Sequence, residues 1–506
     1  MKSARETATS IHNRRRGRIA LVLGVTATLA SSRPALADPP APAVASSRSS
    51  PASISDAAIA SRESALARSL RDRVGRPGGL TANETARRAV STSPDDRARR
   101  ADVEAAESDV DRTKVDYYPR LTMTARYTRF SPLTPPEIRV LPPPAPGFSF
   151  PVILDQYFTQ ANVTVPLSDY LLRIRQSHDA AVLSREASEL NARASRLTVA
   201  ASAKLAYYVW ARARLGEAVT EQSVAQATHH LDLARAGRDA GREPGADVLR
   251  AESLVAAAEL ANARMRDEAL LAEEHLHTLM HDSRSGRYEI GEDLLAPLDG
   301  TDAGEADALY REALQQRPEL RAMERTFASL RSEREAADSR GLPRLDAFGN
   351  AYLANPSPRV FPQTDEWRAT WDVGVQLTFS PNDLGGADST KRNLDARRKK
   401  LDADRAALSD SMKDEIEGAV LAWREARFAA ETASRGLTAA EESYRVRGEL
   451  FELGRGTNVE LIDAESDLLR ARLEMIQARV DARVAKVRLE HAVGREPSRT
   501  AGGDAR

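Results

Sequence analysis

Within nine residues the sequence places Glu273, Glu274, His275, His277 and His281. On a helix His277 and His281 fall four residues apart on one face, a spacing at which two imidazoles share a zinc ion. The same residues close a long helical stretch, where histidines favour the negative end of the helix dipole. Solvated histidines at a helix terminus are the expected reading, and no metal or cofactor is assigned. The chain contains no cysteine, which excludes disulfide frameworks, cysteine-ligated zinc, iron–sulfur clusters, cysteine nucleophiles and a lipidated N-terminal cysteine. No nucleophile, base and oxyanion donors cluster along the sequence, so a hydrolase is disfavoured and no catalytic residue is assigned.

The elements around these residues are helical in composition. Of 506 residues, 29% are charged and only 5% aromatic, and the formal charge of −1 gives no case for nucleic acid as a partner. A mean hydropathy of −0.46 excludes a helical membrane bundle. At the N-terminus, Lys2, Arg5, Arg14, Arg15, Arg16 and Arg18 precede a short apolar run from Ile19 to Ala30 and a small-residue Ala35-Leu36-Ala37 site. Residues 1–37 are therefore expected to be an export signal. Removing its net +6 leaves the remainder near −7. Residues 38–79, rich in Pro, Ala and Ser, read as an N-terminal arm, and 497–506 as a disordered tail.

Beyond Leu80 the chain is a duplication, with one copy at 80–300 and a second at 301–496. Ala89, Pro94, Arg97, Pro119, Arg120 and Leu121 recur 224 residues later as Ala313, Pro318, Arg321, Pro343, Arg344 and Leu345. Trp210, Gly241, Arg242, Ala251 and Glu252 recur 213 residues later as Trp423, Gly454, Arg455, Ala464 and Glu465. Each copy reads helix, strand, strand, long helix, long helix, with the first helix expected over 83–117 and 307–340. The strands alternate apolar and polar residues, most cleanly Trp371, Val373, Val375, Leu377 and Phe379 against Asp372, Gly374, Gln376 and Thr378. Each is about ten residues long, enough to cross a bilayer at a tilt. Residues 117–170 and 348–379 hold 15 of the 25 aromatic residues, near both strand ends, like the girdles of an outer-membrane barrel. Four strands cannot close a barrel in lipid, where every backbone group needs a partner, so membrane-spanning strands require oligomerisation.

Leu461, Leu468, Met475, Ala482 and Leu489 are spaced by seven, as are Ala464, Ala471, Ala478, Ala485 and Ala492. Sustained heptads imply left-handed supercoiling. Ile462, Leu469 and Ile476 lie beside the seam, so the helix is expected to meet neighbours on two sides. Each long hairpin turns at a glycine-marked string, 240–252 and 453–465, where Asp247 or Thr457 could cap the returning helix.

These features together resemble the TolC family of outer-membrane efflux proteins over about 80–495. The resemblance rests on the two Pro-Arg-Leu junctions at 119–121 and 343–345, the strand end at 163–169 and the two tip strings in a duplicated frame. It implies a mostly α fold with a membrane β-barrel: a homotrimer with four strands per protomer in a twelve-stranded barrel, and a periplasmic coiled-coil tunnel. A mixed region around 283–310 and the chain ends would gird the tunnel. It implies residence in the outer membrane, a periplasmic adaptor and an inner-membrane pump as partners, and passive export without bond chemistry. The family's acidic gate falls on Glu460 and Asp463, three apart on one helix face; threefold symmetry would gather six carboxylates that attract cations. The first copy has Asp247 and Arg250 there, and Gly456 stands where the family carries a basic residue, with Arg455 adjacent. Adaptor docking would fall on Gly241, Arg242, Gly454 and Arg455. The competing reading is a non-pore periplasmic coiled-coil adaptor or scaffold, which lacks amphipathic strands.

Overall fold

The computed structural model describes residues 70–134, 136, 152–241, 244–282, 286–296, 298 and 304–495. The expected signal at 1–37, residues 38–69 of the arm, Arg242 and the tail at 497–506 lie outside them. The described chain runs α1 (Ala82–Thr92), α2 (Pro94–Val115), β1 (Arg120–Arg129), β2 (Asp155–Val165), α3 (Arg175–Asp239) and α4 (Gly245–Met280). It then repeats the order as α5 (Ala306–Gln316), α6 (Pro318–Ser339), β3 (Arg344–Asn355), β4 (Arg368–Thr378), α7 (Pro381–Glu452) and α8 (Asn458–Val493). Among the described residues no helix is long and apolar enough to cross a membrane.

The first helix of each copy is two helices, not the single one expected over 83–117 and 307–340. Pro94 and Pro318 cause the break, because a proline drives the residue before it out of the helical region. Ser93 has φ −57° and ψ 127°, and Arg317 φ −63° and ψ 121°. Ser93 turns the break into a start, its hydroxyl accepting a hydrogen bond from the Asp96 amide.

The strands form one antiparallel sheet in the order β1-β2-β3-β4, so the two copies meet at β2–β3. The register stacks Leu121, Val163, Gly349 and Val373 in one row and Met123, Ala161, Ala351 and Trp371 in another. The opposite face carries the row Thr122, Asn162, Asn350 and Asp372. The expected alternation is therefore realised on a single sheet. Leu121, Met123, Trp371, Val373, Val375 and Leu377 are each 64% to 74% exposed in the protomer.

Two helical cores form around the duplicated tryptophans. Trp210 packs with Tyr207, Leu215, Leu276 and Ile476; Trp423 packs with Met412, Ile416, Leu489 and Val493. Helix α8 packs against both α7 and α3. The heptad residues Leu461, Ala464, Leu468, Ala478, Ala482, Ala485, Leu489 and Ala492 are buried along it, and Ile476 beside the seam is buried too. Residues 286–296 cross the helices midway: Leu80 bridges to Ile290, and a Cβ on Gly291 would lie 2.4 Å from the Gly79 carbonyl, so glycine is required for that crossing. The Arg483 guanidinium donates to the Asp293 and Ala296 carbonyls at 2.8 and 3.0 Å, pinning the segment to α8.

Candidate functional site

The hairpin tips are built from backbone geometry first. Helix α7 ends at Glu452, and Gly454 takes φ +68°, a conformation that costs L residues a steric clash. The Arg455 and Gly456 amides then both donate to the Leu450 carbonyl, at 2.8 and 3.0 Å, which satisfies the helix end. Gly456 sits tightly against the helix end, since a Cβ there would lie 3.0 Å from the Phe451 nitrogen and the backbone would have to give to admit it. Thr457 caps α8. Its hydroxyl accepts from the Glu460 amide at 3.3 Å, and the Glu460 carboxylate accepts from the Thr457 amide at 3.2 Å. The first tip uses Gly241, at φ +71°. Pro244 holds the cap position of α4, so of the two capping candidates only Thr457 caps; Asp247 lies one turn inside and faces Arg250 at 3.7 Å.

The proposed gate acids thus have unequal surroundings. Asp463 is exposed. Glu460, also exposed, has its carboxylate shared between the cap and Arg447, whose Nη1 lies 3.6 Å away. Gly454 and Arg455 are exposed at the same tip, and Gly241 at the other.

The histidines of the α4 terminus go to separate fates. His277 stacks on Tyr288 with ring centroids 4.6 Å apart, and its Nδ1 is 3.1 Å from the Tyr288 hydroxyl. His281 takes the left-handed cap position at φ +48°, and His275 is exposed. Among the described residues no group of three or more His, Cys, Asp or Glu side chains is placed to hold a metal.

Behind the tips lies a cluster that the sequence reading missed. Asn458 at the start of α8 bridges the two hairpins: its Nδ2 donates to the Asp247 carbonyl of α4 at 3.3 Å, and its Oδ1 is 2.6 Å from Nε2 of His230 on α3. The other ring nitrogen of His230 faces a Glu465 carboxylate oxygen at 3.9 Å. Asn458, Glu465 and Arg472 are all buried and follow one another by seven, a polar heptad row beside the Leu and Ala rows. That spacing was the available signal. It was masked because Glu465 reads as the copy of Glu252, which is exposed and pairs with Arg235 at 3.0 Å.

On the sheet, the polar face is a connected network. Asn350 Oδ1 accepts from Gln160 at 2.9 Å and Asn162 at 2.7 Å, while its Nδ2 donates to Asp372 at 2.9 Å. Arg359, from the loop between β3 and β4, reaches back to Asp372 and lies 4.2 Å over the Tyr352 ring. At the same end of the sheet Tyr157 contacts Tyr127 and Trp367, with centroids 5.1 and 5.6 Å apart.

Comparison with known proteins agrees with this geometry. The sequence profile of the family described as "Outer membrane efflux protein" matches residues 85–280 and 309–495. The probable efflux pump outer membrane protein TtgC of Pseudomonas putida is 24% identical over 348 residues, which is 68% of this chain and 70% of TtgC. The Campylobacter jejuni CmeC outer membrane channel superposes with a TM-score of 0.67 at 15% identity, covering 82% of this chain and 86% of CmeC. The open state of the Neisseria gonorrhoeae MtrE outer membrane channel gives 0.67 at 18% identity, covering 82% and 89%.

Proposed function

The chain belongs to the outer membrane efflux protein family, and from that premise we propose that it is the outer-membrane duct of a tripartite efflux or type I secretion system. The observation that carries this reading is the isolated four-stranded sheet, apolar on one face and hydrogen-bonded through polar side chains on the other. In lipid its two outer strands need partners for their backbone groups. Three protomers would supply twelve strands, with Leu121, Val373 and Val375 toward lipid and Asn162, Asn350 and Asp372 toward the lumen. The two repeats, 80–300 and 301–496, contribute equally to barrel and tunnel.

Within this reading Glu460 and Asp463 form the acidic constriction at the periplasmic end. Gly241, Arg242, Gly454 and Arg455 offer the tips to a periplasmic adaptor coupled to an inner-membrane pump. Transport is passive, with no catalytic residue and no cofactor. The non-pore adaptor or scaffold reading gives no role to an apolar sheet face between aromatic ends.

Fractionation tests the proposal. The protein should sediment with outer membranes and run as a heat-modifiable trimer on gels. Recovery as a soluble periplasmic monomer would contradict it.

A further inference from the structure

His230 and Glu465 are each about 4% exposed, and among the described residues neither carboxylate oxygen of Glu465 has a hydrogen-bond partner. The surrounding bonds fix the proton positions. Asn458 uses its amide nitrogen on the Asp247 carbonyl, so its oxygen accepts and Nε2 of His230 donates. In the neutral imidazole, Nδ1 is then a lone pair, and it is this atom that faces Glu465 at 3.9 Å. A proton on either Glu465 or Nδ1 gives the two groups an attraction; with no proton between them, a bare buried carboxylate faces a lone pair.

We propose that Glu465 and His230 are a proton-operated latch between the two hairpins of each protomer: one shared proton keeps α8 packed on α3 near the tip, and its loss loosens that packing. The consequence for conduction rests on the duct reading above; the movement itself does not.

Every element around the pair bears on its charge. From α3, His229 and Gln226 lie alongside; from α4 comes the Asp247 carbonyl; from α7, Glu441, Tyr444 and the ring of Phe451, stacked on His230 at 5.8 Å; from α8, Asn458 and Arg472. Burial pushes the Glu465 carboxyl up to about 7, against the pull of Arg472. Arg472 is itself held by Gln226 at 3.2 Å and attracted by Glu441, so it does not neutralise Glu465 alone. Burial also holds His230 below the ordinary imidazole value, Asn458 opposing and His229 adding to the shift. The stabilisation that a neutral Glu465 gives the packed tip is fully present below its unfolded value of 4.5 and is lost as pH rises through about 7, while that from neutral His230 is present above 6.5 and is lost as pH falls. The duplication supports a special role, since the counterpart Glu252 sits in solvent with an arginine partner.

Two measurements on the full-length protein decide the proposal. The chain has no cysteine, so spin labels on Arg238→Cys and Leu453→Cys report the separation of α3 from the α7–α8 turn. Between about pH 6 and pH 8 the wild-type distance distribution should broaden, and Glu465→Gln and Glu465→Met should each stay narrow. In planar bilayers the open fraction of wild type should rise over the same range. Glu465→Gln should lose that rise, while Glu252→Gln, at the exposed counterpart, keeps it. A Glu465→Gln protein that follows wild type in the distance measurement overturns the latch, as does a wild-type distribution that does not change. Absence of any conductance, with the distance change intact, would sink the duct reading and leave the latch standing.

Discussion

Thr457 and Glu460 hold each other's backbone amides, at 3.3 and 3.2 Å, so the carboxylate proposed for the gate also starts its own helix. Charge and cap can be separated. Gln retains an acceptor for the Thr457 amide, and Ala retains none. Glu460→Gln with Asp463→Asn should assemble normally and show weakened cation preference in reversal-potential recordings. Glu460→Ala should also destabilise the tip by about 1 kcal/mol. Unchanged selectivity in the double amide variant would remove both acids from the gate.

Gly454 has open space where a Cβ would stand, yet its φ is +68°. The cost of Gly454→Ala is therefore backbone strain alone, about 1 kcal/mol. The variant should form trimers with a slightly lowered melting temperature. Export lost from such intact trimers would place adaptor docking at this tip, whereas failure to assemble would mean the glycine serves only the turn.

Most of the fold was legible because its signals are periodic. Alternation located the four strands, heptads marked α8 as a helix with neighbours on two sides, and repeat offsets paired Trp210 with Trp423, each of which the structure buries in its own helical core. The breaks at Ser93 and Arg317 were signalled by Pro94 and Pro318 but overridden by the helical composition on either side. The buried cluster behind the tips was not legible for a physical reason. Whether a glutamate at a heptad position is solvated or buried depends on what crosses it, and here His230 arrives from another helix 235 residues away.

Adjacent residues of β4 give a sided test of the sheet. Val375 is 69% exposed on the apolar face, and Gln376 belongs to the opposite face. Val375→Arg should cost roughly 2–4 kcal/mol if that face meets the bilayer midplane, reducing folded trimer in detergent refolding. Gln376→Arg should refold like wild type and alter ion selectivity instead. Equal tolerance of both changes would argue against a lipid-facing surface.

Glu465 makes the stability of the helical region depend on pH with a definite sign. Its folded-state value is raised from 4.5 to about 7. The neutral carboxyl carries no penalty below the unfolded value, and the cost of ionisation grows as pH rises from there through the folded value. Glu465→Gln should therefore stabilise the protein most above neutrality, by at most roughly 3 kcal/mol, and little in acid. Thermal melts that show the same gain at both ends of the range would point to a packing effect rather than to charge.

The central claim is that this chain forms a passive pore through the outer membrane, and conductance of the purified protein in a planar bilayer, without nucleotide or partner, addresses it directly. The trimer should give discrete, ohmic conductance steps that are abolished by Val375→Arg. A correctly folded trimer that inserts and yet never conducts, at any pH or with the tip acids neutralised, would contradict it.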